Sequence, residues 1–174
     1  MIILETNRLA LRCLTVNDVK PLEKVLSDPE TMEFYPAIYQ ADEIKLWIEK
    51  SIKSYERNNY GLWGIVHKED DRLIGQCGIS DQEIDGEIVQ EIGYQLHKDY
   101  WNQGIATEAA GACLQYGFDR LGLDELYIHT YIKNAPSQRV AEKIGMDKLK
   151  VYDKHLKTYD LIWPHVVYVK HASA

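Results

Sequence analysis

The sequence lacks the features of several protein classes. Only three of its 174 residues are cysteines, and no Cys-x-x-Cys pair exists, so neither a disulfide framework nor a zinc or other metal site is expected. Cys13, Cys77 and Cys113 each stand among apolar residues and are interpreted as small core residues. Basic residues are also scarce, with 20 Lys and Arg against 27 Asp and Glu and a net charge of −7. This balance argues against direct binding of nucleic acid.

Long apolar runs and the common phosphate-binding glycine motifs are missing as well. No stretch approaches the roughly 18 apolar residues of a membrane span, and residues 1–5 lack the basic start of a signal peptide. A cytoplasmic protein without a membrane segment is therefore expected. No two glycines are separated by a single residue, which excludes G-x-G-x-x-G, and G-x-x-x-x-G-K-[ST] is absent too.

What remains is the pattern of one α/β domain spanning residues 1–174. Apolar periodicity predicts the order β-α-α-β-β-β-α-β-α-β-β, in which three consecutive strands form an antiparallel meander and a strand-helix-strand unit forms a parallel crossover. This order predicts a mixed, mostly antiparallel central sheet flanked by helices. The predicted strands are residues 8–14, 61–67, 73–80, 87–97, 125–132, 147–152 and 161–170, and the predicted helices begin at the Thr15 cap and at residues 41, 104 and 136.

The segment before the helix at 104 has the composition of an anion site. A helix N-terminus leaves backbone N–H groups without partners and is the positive end of the helix dipole, so phosphate binds readily there. Asn102, Gly104 and Ala106 permit the close approach and the positive φ that such a loop needs. An ordinary helix start after a strand explains the same residues equally well.

Several motifs together resemble one known family. The run WNQGIATEA at 101–109 is similar to the pyrophosphate-binding signature of the GNAT acetyltransferases, in the form used by the RimJ/RimL-like branch. The segments EIGY at 91–94, NAPS at 134–137 and TNRLALR at 6–12 match other parts of that branch, in the right order. The resemblance covers nearly the whole chain. It implies the GNAT fold, with a parallel strand pair that splays apart to admit the pantetheine arm of acetyl-CoA.

The resemblance also implies which residues bind acetyl-CoA. Backbone groups of Gln95, Leu96 and His97 pair with the pantetheine arm, and the amide of Asn134 is free for the cofactor because Asn134 is not the helix cap. Asn102 stands where the branch usually has glycine, which a positive φ accommodates. The residues expected to hold the pyrophosphate are Asn102, Gln103, Gly104, Ile105, Ala106 and Thr107.

Acetyl transfer to an amine requires a neutral amine and a proton for the leaving thiolate. An α-amine has a pKa near 7.7–8.0, so roughly a tenth of it is neutral at pH 7 and it needs little help from a base. Many family members supply the proton from a tyrosine, but that position is Ala141 here. The resemblance implies Ser137 as its substitute. Glu91 is the first candidate for the base, with His97, His129 or a chain of waters as alternatives, and with a structural role as the other interpretation of Glu91.

The predicted function is transfer of an acetyl group from acetyl-CoA to a primary amine, either a protein N-terminal α-amine or a small molecule, by direct attack on the thioester. The alternative is a non-catalytic acyl-CoA-binding or sensing module on the same fold. The acceptor pocket is expected between residues 32–39, the helix around Trp47 and the last strands, with Phe34, Tyr35, Tyr39 and Trp163 as candidate walls. The sequence identifies neither the acceptor nor the oligomeric state, for which a homodimer is one alternative.

Overall fold

The computed structural model describes residues 1–173, in which eight strands form one sheet in the order β1-β2-β3-β4-β5-β6-β8-β7. All neighbouring strands are antiparallel except β5 and β6. The predicted mixed, mostly antiparallel sheet is therefore confirmed. The strands are β1 (Ile2–Glu5), β2 (Leu9–Arg12), β3 (Leu62–His67), β4 (Arg72–Ile84), β5 (Glu87–Leu96), β6 (Glu125–Tyr131), β7 (Asp147–Leu156) and β8 (Leu161–His171).

Four α-helices within residues 1–173 flank the sheet, and none of them combines the length and hydropathy needed to cross a bilayer. The first begins through a short 3₁₀ turn after Thr15, whose N–H donates to the carboxylate of Asp18 over 2.7 Å. The predicted cap is thus confirmed, because this carboxylate satisfies an N–H group that the helix start leaves free. The helices are α1 (Val19–Leu26), α2 (Ala41–Asn58), α3 (Ile105–Asp119) and α4 (Ala135–Lys143).

The first strand, β1, was not expected from the sequence. Its residues Ile2 to Glu5 pair antiparallel with β2. A run of three apolar residues is too short to show strand alternation, so pairing with a neighbour, rather than local pattern, makes it a strand. Ile88 of β5 is 67% exposed. Ile88 lies near the turn of the long β4–β5 hairpin.

The parallel strand pair opens as predicted. β5 and β6 are in register at a single pair, Glu91 with Tyr127. Beyond that pair β6 continues alongside β8, and α3 provides the connection from β5 to β6. The gap that results begins beside Glu91 and widens towards the C-terminal end of β5.

The core lies between the sheet and α3. Trp63 is fully buried and its ring contacts Tyr116 of α3 edge to face, with centroids 5.4 Å apart. The thiols of Cys77 and Cys113 are buried 3.5 Å apart, whereas Cys13 is half-buried. Gly75 is required by packing, since a Cβ there would lie 2.2 Å from the carbonyl oxygen of Gln95 on the neighbouring strand β5. Such contacts hold α3 at a fixed height over the sheet, which positions its N-terminus.

Candidate active site

The loop before α3 adopts the conformation of an anion cradle. Asn102 and Gly104 both have positive φ, 59° and 75°. The first helical hydrogen bond runs from the N–H of Glu108 to the carbonyl of Gly104 over 2.9 Å. Among residues 1–173, no protein acceptor lies within hydrogen-bonding geometry of the backbone N–H groups from Asn102 to Thr107. The helix therefore presents a set of free donors at its positive end.

This cradle fits the pyrophosphate of a nucleotide cofactor. A Cβ added to Gly104 would have one protein atom nearby, Nη2 of Arg8 at 3.6 Å. The space in front of the loop is therefore open. Asn102, Gly104, Ile105, Ala106 and Thr107 all line one cavity of about 330 Å³, which we call the α3 cavity. Free N–H donors at a helix N-terminus are the donor set that phosphate oxygens prefer.

An ion pair that the sequence did not reveal ties this loop to the sheet. The guanidinium of Arg8 donates to Glu108 over 2.7 Å and to the carbonyl of Gln103 over 2.8 Å. Thr6 Oγ and the Arg8 N–H also donate to Glu108, over 2.6 and 3.0 Å. Partial burial opposes the charge of Glu108, but these bonds outweigh it and lower the pKa of its carboxyl. All these residues lie in the motifs at 6–12 and 101–109, but nothing in the sequence predicted that the two motifs contact each other.

The end of β5 forms another part of the cavity wall. The N–H of His97 donates to the carbonyl of Ile74 over 2.8 Å, so this group is already bound within the sheet. Antiparallel pairing alternates, and Leu96 therefore directs its N–H and C=O away from β4. Its carbonyl accepts from Trp101 Nε1 over 2.8 Å. The side chain of Gln95 donates to the hydroxyl of Tyr35 over 2.9 Å.

Asn134 caps α4, contrary to the expectation from the sequence. Its Oδ1 accepts the backbone N–H of Ser137 over 3.1 Å. The expectation assumed that the helix begins at Pro136, but it begins at Ala135, which makes Asn134 the cap. The Nδ2 of Asn134 has no partner among residues 1–173, and Asn134 lines the α3 cavity. The Oδ1 of Asn134 is thus bonded within the helix, whereas its Nδ2 is available to a ligand in the α3 cavity.

Ser137 is held by a tyrosine that the sequence analysis did not select. The hydroxyl of Tyr94 lies 2.9 Å from Ser137 Oγ and donates to the Ser137 carbonyl over 3.0 Å. Burial raises the pKa of Tyr94, so this hydroxyl keeps its proton. Ala141, at the position of the family's tyrosine, is fully buried in the core. The EIGY segment contained Tyr94, but β5 periodicity marked it only as a core side chain.

A second cavity, of about 320 Å³, lies on the other side of this pair, and we call it the β8 cavity. Its walls include the four predicted aromatics and Trp47, so the structure brings together residues from three distant segments. Tyr39 contacts Trp47 with ring centroids 5.7 Å apart. The residues that line both cavities are Phe34, Tyr35, Tyr94, Gln95, Asn134 and Ser137.

Glu91 lies in the β8 cavity within a row of charged and polar groups. Its carboxylate is 3.0 Å from Nδ1 of His129, and Nε2 of the same ring is 3.0 Å from Nζ of Lys154. Glu91 is 8% exposed, so it is not a solvated glutamate on the surface of the strand. His97 lies apart from this row, where its ring accepts from the N–H of Asp99.

Comparison with known proteins identifies the family. Residues 8–147 match the family model described as the acetyltransferase (GNAT) domain. The chain belongs to the GNAT acetyltransferase family. This GNAT chain is 35% identical to YkkB of Bacillus subtilis over 152 residues, which cover 87% of the chain and 88% of YkkB.

Solved structures share the whole fold of this acetyltransferase. A GNAT-family acetyltransferase from Bacillus anthracis superposes with a TM-score of 0.82 at 26% identity, covering 98% of both chains. An acetyltransferase from Salmonella typhimurium, which modifies the N-terminal serine of ribosomal protein L7/L12, superposes with a TM-score of 0.83 at 16% identity, covering 99% of this chain and all of the other. The GNAT family predicted from the sequence is thereby confirmed. The protein is an acetyl-CoA-dependent acetyltransferase.

Proposed function

We propose that this acetyltransferase moves the acetyl group of acetyl-CoA to a primary amine by direct attack on the thioester. The observation that carries this proposal is the meeting of two cavities at Tyr94 and Ser137. A donor in the α3 cavity and an acceptor in the β8 cavity would approach each other at that point without a covalent enzyme intermediate. Proximity of this kind lowers the barrier by removing translational freedom before reaction.

In this proposal the start of α3 binds the pyrophosphate. The donors are the free N–H groups of Asn102, Gln103, Gly104, Ile105, Ala106 and Thr107. The N–H of Leu96 remains for the pantetheine arm, together with the Nδ2 of Asn134, whereas the side chain of Gln95 is bonded to Tyr35 and Gln76 and forms part of the cavity wall. The N–H of His97 is not available to the pantetheine arm, because it already donates to the carbonyl of Ile74 in β4. Acetyl-CoA, when bound, supplies the activated acetyl group.

Ser137 is proposed to donate a hydrogen bond to the leaving sulfur, which stabilises the thiolate as the C–S bond breaks. Its Oγ stands between the two cavities and within hydrogen-bonding distance of Tyr94. Tyr94 is the positioning residue, because a hydroxyl that keeps its proton can hold Ser137 Oγ in one rotamer but does not give up its own proton readily. The N-terminal position of Ser137 on α4 adds a positive dipole, which favours the developing thiolate.

Glu91 is the proposed base that accepts the proton of the attacking amine. A carboxylate that is nearly buried and faces an acceptor cavity also attracts the ammonium form of the acceptor. The His129 ring lies between Glu91 and Lys154, with 3.0 Å from the Glu91 carboxylate to Nδ1 and 3.0 Å from Nε2 to the Lys154 ammonium. A base matters most for alkylamines, whose neutral fraction at pH 7 is about 10⁻³.

The test is thiol release from acetyl-CoA across amino acids, peptides, polyamines and aminoglycosides, with mass spectrometry of each product. The protein N-terminus enters this panel because the Salmonella typhimurium protein of the same fold modifies one. The proposal predicts release that requires an amine and a product heavier by one acetyl group. Tight binding of acetyl-CoA without release for any amine would favour the sensing module instead.

A further inference from the structure

Lys154 is an unusual cation in the β8 cavity. It is half-buried, yet no carboxylate among residues 1–173 forms an ion pair with it, and its polar contact is the imidazole of His129. Burial lowers the pKa of its amine, and the more distant Glu91 only partly offsets this. Buried charges in proteins are ordinarily paired, because an unpaired one loses its hydration without compensation. An anion from outside the chain would supply the missing partner.

A second unsatisfied donor lies directly beside Lys154. Trp163 of β8 is its cross-strand partner in the β7–β8 pair, so both side chains project from the same face. The indole Nε1 of Trp163 is buried and has no acceptor among residues 1–173. Both residues line the β8 cavity. A cation without a carboxylate partner, next to an N–H group without an acceptor, makes a site for a carboxylate.

The carboxylate Glu91 lies at the opposite end of the same row. One imidazole ring and two contacts of 3.0 Å separate Glu91 from Nζ of Lys154. A molecule that carries an ammonium and a carboxylate on the same carbon has the length to bridge the two, with its amine at Glu91 and its carboxylate at Lys154. We propose that the acceptor is a free α-amino acid, bound through its carboxylate by Lys154 and Trp163. This inference rests on the proposed function and names the acceptor class of that site.

The rest of the cavity agrees with a zwitterion that has an apolar side chain. Its charged lining consists of one carboxylate, Glu91, and two ammonium groups, Lys50 and Lys154. A polyamine or aminoglycoside would meet more repulsion than attraction there. Aromatic rings form much of the wall, with Tyr131 and Trp163 in edge contact at 4.8 Å. An aromatic or aliphatic amino acid matches both features.

The experiment compares matched acceptors: L-phenylalanine, L-phenylalaninamide, 2-phenylethylamine and the dipeptide phenylalanylglycine, with L-leucine and L-leucinamide as a second pair. Thiol release gives kcat/KM for each, and each value is divided by the neutral fraction of that amine at the assay pH, because the amines of the amides are less basic than those of the free acids. We expect the free acids to exceed their amides by about ten- to hundredfold, the effect of one hydrogen bond to a charged group. Equal or faster reaction of the amides, amines or dipeptide would overturn the inference while leaving the proposed function intact.

Variants separate the carboxylate site from a structural role. Lys154→Met should raise KM for the free acid and reduce the ratio of acid to amide to about one, whereas Lys154→Arg should keep much of that ratio. Trp163→Phe, which retains a ring and removes the N–H, should lower it in part. Lys148→Met is the control, because Lys148 lies exposed on the same strand outside the cavity. Comparing the ratio between enzymes cancels the different basicities of acid and amide.

Two results would count against this account. An unchanged acid-to-amide ratio in Lys154→Met would show that Lys154 does not bind the carboxylate of the acceptor. No thiol release from any of these amines, with acetyl-CoA binding intact in calorimetry, would overturn the inference, and the proposed function would fail with it only if the peptides, polyamines and aminoglycosides of the wider panel also gave no release. The acid-to-amide ratio of the wild-type protein stands as an independent measurement if the Lys154 variants fold poorly.

Discussion

Replacing Gly104 by Val tests the pyrophosphate cradle. Gly104 holds φ at 75°, a conformation that costs a β-branched residue about 1–3 kcal/mol. The open space around it means that the protein itself does not clash with the new side chain. We therefore expect the chain to fold with a lower Tm, by roughly 2–4 °C for each kcal/mol lost.

The effect on acetyl-CoA affinity should be much larger. The valine must either stand in the space that the pyrophosphate needs or relieve its strain by leaving the left-handed region, which turns the N–H groups away. Losing two hydrogen bonds to a charged group, at about 1.5–3 kcal/mol each, weakens binding by more than about a hundredfold. Isothermal titration calorimetry with acetyl-CoA measures this directly.

Gly122→Val is the matched control. Gly122 has φ of 67° and no atom within 4 Å of an added Cβ, but it lies after the C-terminal end of α3. Its valine variant should lose similar stability and keep wild-type affinity for acetyl-CoA. An affinity of Gly104→Val equal to that of Gly122→Val would refute the assignment of the loop.

Three further perturbations address catalysis and stability. Ser137→Ala should lower kcat by about 10²-fold with little change in KM for acetyl-CoA. Adding Tyr94→Phe to this variant should lower kcat little further, since the two residues act as one unit. If the two effects on kcat are fully additive in steady-state kinetics, the two residues act independently. Glu91→Gln should lower kcat/KM for alkylamines at pH 7 and recover at higher pH, where more of the acceptor is neutral; a pH–rate profile parallel to that of the wild type would remove Glu91 as the base. Burial lowers the pKa of His165 to about 4, so the neutral ring's contribution to stability is present above pH 6.5 and is lost as the pH falls towards 4. His165→Phe should therefore show a shallower fall in Tm over that window than the exposed-site control His155→Phe; equal slopes would exclude His165.

Local pattern in the sequence was sufficient for most of the architecture. Alternation and helical periodicity predicted every strand except β1, and they predicted the parallel crossover around α3. β1 escaped because four residues carry too little periodicity, and its pairing with β2 decides its structure. The cradle was predictable because one short segment contains both of its requirements, a helix start and residues that accept positive φ, Asn102 and Gly104.

The residues of the site were predictable from the sequence only where they belong to a recognisable motif. The contact between Arg8 and Glu108 joins residues 100 positions apart, and periodicity contains no information on such pairs. The contact of Tyr94 with Ser137 depends on how far α4 stands from β5, which the packing of α3 sets. Asn134 was misjudged because a helix boundary moved by one residue, the scale at which boundaries are least determined by sequence.

The most direct test of the account is a crystal structure with coenzyme A bound. The account predicts the pyrophosphate within hydrogen-bonding distance of the backbone N–H groups of Gln103 to Thr107. It also predicts the pantetheine arm in the gap between β5 and β6 and the sulfur beside Ser137 Oγ. A pyrophosphate bound away from the start of α3, or a sulfur remote from Ser137 and the β8 cavity, would contradict it.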